Sequence, residues 1–412
     1  MKKPVLYTSY DQKEVSAASN IVRSGKLSSF VAHKQGFYGG NFVQEFEKNL
    51  SSYFGTKYAV TFNSWTSGLI AAVGALDIEP GDEILVPTWT MCATATAIIH
   101  FNAIPVFVDI NPDDYNICIN DLKKKITKKT KAIIAVDING YPSDIQELIS
   151  ISKKNKIKLI FDSAQSIGAK YNNQLLGKFG DISGFSFNYH KHIHTGEGGV
   201  CLTNKKKIFD KLCLIRNHGE IVINSSKKKD LANILGYNFR LGEIESAIGI
   251  EQLKKLKQIV NYRIKYTKII IKELKELSGL ILPKYEKNKE PSHYTLPLRI
   301  SDKIIKKIGR KKIVKKLQKN GVFCISQGYM NLHLMSMYQN KIAYGAKGFP
   351  WNVFDKENKT KYHKGICPKA EKCHDESFLA FSPFYYKMNE KKIRSLLEGF
   401  KKTWEELRIN DL

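Results

Sequence analysis

KLIFDSAQSIGA (Lys158–Ala169) opens as a short apolar run that stops on a carboxylate, Asp162, and passes at once into a turn of small residues. Runs of four or five residues rich in Val and Ile are the mark of strands buried on both faces of a parallel sheet. The same pattern stands upstream at Ala59–Phe62, Glu83–Pro87, Pro105–Asp109 and Ala132–Val136. Between these runs, Thr66–Leu76, Ala93–Phe101, Ile117–Lys124 and Ile145–Lys156 suit helices. Alternation of this order predicts an α/β unit whose mainly parallel sheet is covered on both faces.

Working outward, Tyr10–Gly25 has helical spacing of apolar residues and ends on Gly, a Gly-rich turn follows at Gly36–Gly40, and a helix is expected over Asn41–Phe54. Downstream, a long amphipathic stretch, Glu243–Leu277, leads into a smaller α+β unit with strands expected near Tyr294–Ile300 and Val322–Ile325. The last helix, about Asn389–Leu407, carries an apolar stripe through Ile393, Leu396, Leu397, Phe400 and Trp404 that needs a packing partner. Two units are expected, residues 1–265 and 266–412, with the boundary inside the long stretch.

Hydrophobic residues make up 42% of the 412-residue chain and charged residues 25%, enough apolar surface for a large core and against disorder. The formal charge of +27 raises nucleic acid and anionic membranes as partners. Its lysines fall in short runs (Lys123–Lys125, Lys205–Lys207, Lys227–Lys229) without the interleaved aromatics of a phosphate-tracking groove. A solvated basic surface is the reading, one that suits an anionic small molecule, and no specific nucleic acid is expected. Seven cysteines without regular spacing, behind a start (MKKPVLYTSYDQKEV) with no apolar leader, indicate a reducing compartment and a cytoplasmic protein. Cys367, Cys373 and His374 lack a second ligand pair at zinc spacing, so no metal is expected. Nor does any apolar run reach membrane-spanning length.

In open parallel sheets, functional groups gather where strands end. Asn63, Ser64, Trp65, Thr66 and Ser67 follow one strand and open a helix, offering hydroxyls and free N–H groups to an anion. Helix capping alone would also explain them. Asp162 ends an otherwise apolar strand, where a carboxylate is costly unless it meets a cation or a donor. Twenty-nine residues on (191 − 162), GDISGFSFNYHKHIHTGEGG (Gly180–Gly199) sets Lys191 between His190 and His192. An amine in that setting can have a lowered pKa, as covalent carbonyl chemistry requires.

Here the residues resemble a known family, the DegT and StrS sugar aminotransferases of the aspartate aminotransferase-like fold. FDSAQSIGA (Phe161–Ala169) and GDISGFSFNYHKHIHTGEGG resemble its two signature segments, with further similarity in GDEILVPTWTMCATATAI (Gly81–Ile98), RNHG (Arg216–Gly219) and GYNFRLGEIESAIG (Gly236–Gly249). The resemblance implies a three-layer large domain that binds pyridoxal 5′-phosphate, plus a smaller C-terminal domain. It implies that Lys191 carries the cofactor, Asp162 meets the pyridine nitrogen and Gln165 lies near the ring hydroxyl, while Thr66, Ser67 and Ser186 hold the phosphate. Asn238 would reach the cofactor of the other subunit, which makes the protein a two-fold homodimer with shared active sites. The usual amino donor is glutamate, and the usual acceptor is a nucleotide-linked keto-deoxysugar of surface-glycan or amino-sugar biosynthesis.

The departures are specific. The family's Ser-Gly-Thr is Ser64-Trp65-Thr66 here, so an indole is expected to narrow or reshape the site. The ring-stacking position is Met91, with Trp89 two residues earlier as the alternative cover. His190 and His192 are expected to point away from Lys191 in an extended segment. His333, in the loosely matching C-terminal part, falls where the family places a residue near the sugar. The reading is an aminotransferase, with a sugar dehydratase or lyase, an aminotransferase of a small phosphorylated ketone, and a non-catalytic cofactor-binding regulator as alternatives. Family dehydratases carry His in place of the lysine, and this chain has Lys191.

Overall fold

The computed structural model describes residues 5–31, 35–219, 235–356 and 359–411. The Lys227–Lys229 run lies outside them. Strands β1 (Tyr58–Phe62), β2 (Glu83–Pro87), β3 (Ile104–Val108), β4 (Thr130–Val136) and β5 (Lys158–Asp162) form where the apolar runs predict, within two residues at each end. After a short hairpin of β6 (Lys170–Tyr171) and β7 (Gln174–Leu175) come β8 (Ile182–Ser186) and β9 (Gly199–Thr203). The seven-stranded sheet has the order β1-β9-β8-β5-β4-β2-β3, and β9 alone runs against its neighbours. The ends of β1, β2, β4, β5 and β8 therefore meet at one edge of the sheet, where β9 begins.

The pleat divides the side chains between two cores. Ile84, Val86, Ile134 and Ile160 point into one, under the Trp65–Gly74, Cys92–His100 and Lys206–Arg216 helices. Leu85, Ile133, Leu159 and Phe161 point into the other, under Asn41–Phe54, Ile145–Asn155 and the first half of the Glu243–Leu274 helix. By the same alternation, Asp162 falls on the face of Ile160, the side of the Trp65 helix. Its direction is thus decided by strand register.

The C-terminal sheet is antiparallel, in the order β10-β12-β14-β13, from Leu280–Ile281 (β10), Leu296–Ile300 (β12), Ile325–Gln327 (β13) and Phe378–Phe381 (β14); Lys289–Glu290 (β11) joins the β6–β7 hairpin instead. The strand expected at Val322–Ile325 starts only at Ile325, because Gly321 (φ 88°) ends the preceding helix and Val322 turns inward as a core residue. β14, unforeseen in sequence, is central to this sheet. Ile270 and Leu274 of the long helix belong to the small core, as does the stripe of the last helix. Leu332, Tyr338, Trp351, Tyr362 and Cys373, although late in the chain, pack into the first core beside the large sheet. The amino-terminal segment in turn lies on the C-terminal unit, Tyr7 N donating to the Tyr385 carbonyl (2.9 Å) and Lys387 N to that of Val5 (2.8 Å). No helix among the described residues is long and apolar enough to cross a membrane.

Candidate active site

A cavity of about 240 Å³ opens at the shared strand edge, with Asp162 at its inner end. The carboxylate is only 3% exposed and is held from three sides. Trp65 Nε1 donates to Oδ1 (2.7 Å), Ala164 N to the same oxygen (3.2 Å) and Thr94 Oγ1 to Oδ2 (2.8 Å). Burial pushes the Asp162 pKa above the usual carboxylate range, against the pull of these donors and of the Lys191 charge. Gly184, paired with Asp162 across β5 and β8, is required here, since a Cβ would overlap the Trp65 ring. Trp65 thus backs the carboxylate from within the core, and it also borders the cavity.

Lys191 follows β8 on a turn in which its N–H donates to the Asn188 carbonyl (2.9 Å). Its Nζ lies 3.5 Å from the Tyr294 hydroxyl. Burial lowers the Lys191 pKa to about 8, and the Asp162 charge acts in the opposite direction. The segment is a series of turns and not the extended strand expected, so His190 is not turned away: it shares the cavity wall with Lys191. Burial and the neighbouring lysine charge lower its pKa to about 4, which keeps the ring neutral. His192 is fully buried, its Nε2 2.9 Å from the Ser292 carbonyl.

At the other end, Ser64 caps the Trp65–Gly74 helix, its Oγ accepting from Ser67 N (3.1 Å). Thr66 and Ser186 border the cavity at this positive helix end, the arrangement that binds phosphate. Ser67 does not border it, because its hydroxyl is turned to Asn63 Oδ1 (2.7 Å). Gln165 is on the wall, fixed by Asn139 N donating to its Oε1 (2.9 Å) while its own Nε2 donates to the Tyr329 hydroxyl (3.3 Å).

Between the two candidate covers, Met91 borders the cavity and is 57% exposed, whereas Trp89 is 1% exposed and packs among Tyr115, Tyr329 and Phe378 outside the wall. His333 is not on the wall either. Its Nδ1 meets Thr88 Oγ1 (2.6 Å) just past β2 and its Nε2 meets Glu371 Oε1 (3.0 Å) within the C-terminal segment, so both nitrogens are taken up in structural contacts. Asn238 is exposed, its side chain accepts from Arg240 Nε (2.7 Å), and it does not border its own chain's cavity, although its carbonyl accepts from Asn63 Nδ2 (3.4 Å) beside Ser64.

Sequence reasoning missed Thr94, Asn188, Glu197, Tyr294 and Tyr329, all on the wall. Thr94 had a faint signal, one of two threonines in a mostly apolar helix (Cys92–His100). The two tyrosines arrive from the C-terminal unit with no periodic pattern to announce them. A buried carboxylate, hydroxyls at a helix start and an amine of lowered pKa in one cavity are the set that pyridoxal phosphate needs, so these residues fit it.

Comparison with known proteins agrees. The model of the DegT/DnrJ/EryC1/StrS aminotransferase family matches residues 24–353. GDP-perosamine synthase of Vibrio cholerae is 34% identical over 66% of this chain and 70% of its own length. GDP-4-keto-6-deoxy-D-mannose 3-dehydratase of Yersinia pseudotuberculosis is 31% identical over 78% and 83%. The solved structure of Helicobacter pylori PseC, an aminotransferase involved in the biosynthesis of pseudoaminic acid, covers 98% of this chain and 100% of its own at 25% identity, with a TM-score of 0.80. With that match spanning sheet, cavity and Lys191 alike, the chain belongs to the DegT/DnrJ/EryC1/StrS family of pyridoxal-phosphate-dependent aminotransferases.

Proposed function

We propose that this chain transfers an amino group, from L-glutamate, to a nucleotide-linked keto-deoxysugar in surface-glycan or amino-sugar biosynthesis. The observation that carries the reading is Lys191, an amine with its pKa lowered to about 8 in one cavity with the buried carboxylate of Asp162. Bound in that cavity, pyridoxal phosphate supplies an electron sink and carries the amino group from donor to acceptor. Asp162 would keep a proton on the ring nitrogen, Gln165 would meet the ring hydroxyl, Thr66 and Ser186 would hold the phosphate, and Met91 would pack against the ring. Lys191 Nζ, free to be neutral near physiological pH, takes and returns the proton at the substrate carbon. The protein acts as a cytoplasmic two-fold homodimer, with Asn238 reaching the partner's cofactor; its exposure and its absence from the wall of its own chain's cavity support that role.

A dehydratase reading draws on the Yersinia relative, and Lys191 weighs against it. The test is the visible spectrum of the purified holoprotein before and after L-glutamate, repeated on Lys191→Ala. The proposal expects a lysine-dependent band that glutamate converts to the amino form of the cofactor. A band indifferent to every amino donor overturns it.

A further inference from the structure

We propose that a second chamber, entered from the other side of Lys191, is the subsite for an oxyanion of the substrates, with Arg263 as its counter-ion. This rests on the aminotransferase reading above and names what that reaction recognises. The chamber, of about 390 Å³, shares His190 and Lys191 with the cofactor cavity and is lined further by Tyr7, Arg263, Phe384 and Tyr385. Amino-terminal segment, long helix and C-terminal unit thus meet in one space beside the reactive amine.

Arg263 is the odd member among the buried cations. Of the four Lys and Arg residues buried among the described residues, Arg216 pairs with Glu47 (2.5 Å), Lys211 with Asp77, and Lys289 with both Asp144 (2.5 Å) and Glu286 (2.8 Å). Arg263, 2% exposed, pairs with no carboxylate among those residues. Its Nη1 donates to the His293 carbonyl (3.3 Å), and its guanidinium carbon stands 5.7 Å from the centroid of the Phe384 ring. Burial lowers its pKa to about 10, leaving it charged at neutral pH. A buried charge without a partner is costly, and the fold elsewhere avoids that cost. Here a ligand supplies the missing anion, and a guanidinium fork suits a carboxylate or a phosphate. The donor amino acid and a nucleotide-linked acceptor are the two sources of such a group.

The test uses holoprotein in wild-type, Arg263→Gln and Arg263→Lys forms. Perturbation of the visible band is titrated with glutarate, with its uncharged diamide and with GDP and UDP, and the glutamate half-reaction is followed beside them. Wild-type protein is expected to bind glutarate or a nucleoside diphosphate at least tenfold tighter than the diamide. Arg263→Gln is expected to lose that preference while keeping its lysine-bound band, and Arg263→Lys to recover part of it. Loss confined to glutarate and glutamate assigns the chamber to the donor carboxylate; loss confined to the diphosphates assigns it to the acceptor. Equal wild-type affinity for glutarate, diphosphates and diamide overturns the proposal even if neither variant folds, as does unchanged anion affinity in a folded Arg263→Gln. In both cases a wild-type protein that still reacts with glutamate leaves the aminotransferase reading intact, whereas failure of that half-reaction counts against the reading itself.

Discussion

Lys191 offers the most direct check on the site, because its lowered pKa can be read without substrate or cofactor. With the pKa at about 8 in place of the usual 10.5, about half of Lys191 is neutral at pH 8. A lysine at its ordinary value is then neutral in roughly one molecule in 300. Brief acetylation of the apoprotein between pH 6 and 11, scored peptide by peptide by mass spectrometry, should give a Lys191 midpoint near 8, well below that of a short lysine reference peptide in the same tube. The cause can be dissected as well. Burial lowers the value and the Asp162 charge raises it, so Asp162→Asn removes only the raising influence. The midpoint should then fall below 8. A Lys191 midpoint indistinguishable from that of the reference peptide, or an upward shift in Asp162→Asn, would refute the account of this amine.

Trp65→Phe keeps an aromatic ring over Gly184 and strips one donor from the buried Asp162 carboxylate, a loss of about 1.5–3 kcal/mol of apoprotein stability. Chemical denaturation measures it, and a change under about 0.5 kcal/mol would mean that Thr94 and Ala164 suffice. For the shared site, mixing Lys191→Ala with an inactive Asn238→Asp form should restore about a quarter of wild-type activity, since half the dimers are then mixed and each carries one intact site. No recovery in dimers shown to exchange subunits would place Asn238 in its own chain's site.

Much of the architecture was legible because parallel strands buried on both faces must be apolar along their whole length. Glu83–Pro87 and Lys158–Asp162 stand out for that reason with their bounds intact. Asp162 and Lys191 were legible because a carboxylate ending an apolar strand, or a lone amine among histidines, needs a physical reason to be there. Short segments were less so. Phe378–Phe381 is four apolar residues, too few to distinguish strand from helix, and only its place between β12 and β13 decides the matter.

Local pattern alone carries the apolar strand runs, the family signature and the candidate groups Asp162 and Lys191. Tertiary structure alone decided which side chains share a space. The pleat turns Asp162 toward Trp65 and Thr94, and turns in the Lys191 loop put His190 on the wall while His192 is buried. Chain closure brings Tyr294 and Tyr329 to a cavity that begins over a hundred residues earlier, and sets Arg263 in one chamber with Tyr7 and Tyr385 with no carboxylate partner among the described residues. Such meetings depend on register and packing between segments far apart in the chain, and no local periodicity records them.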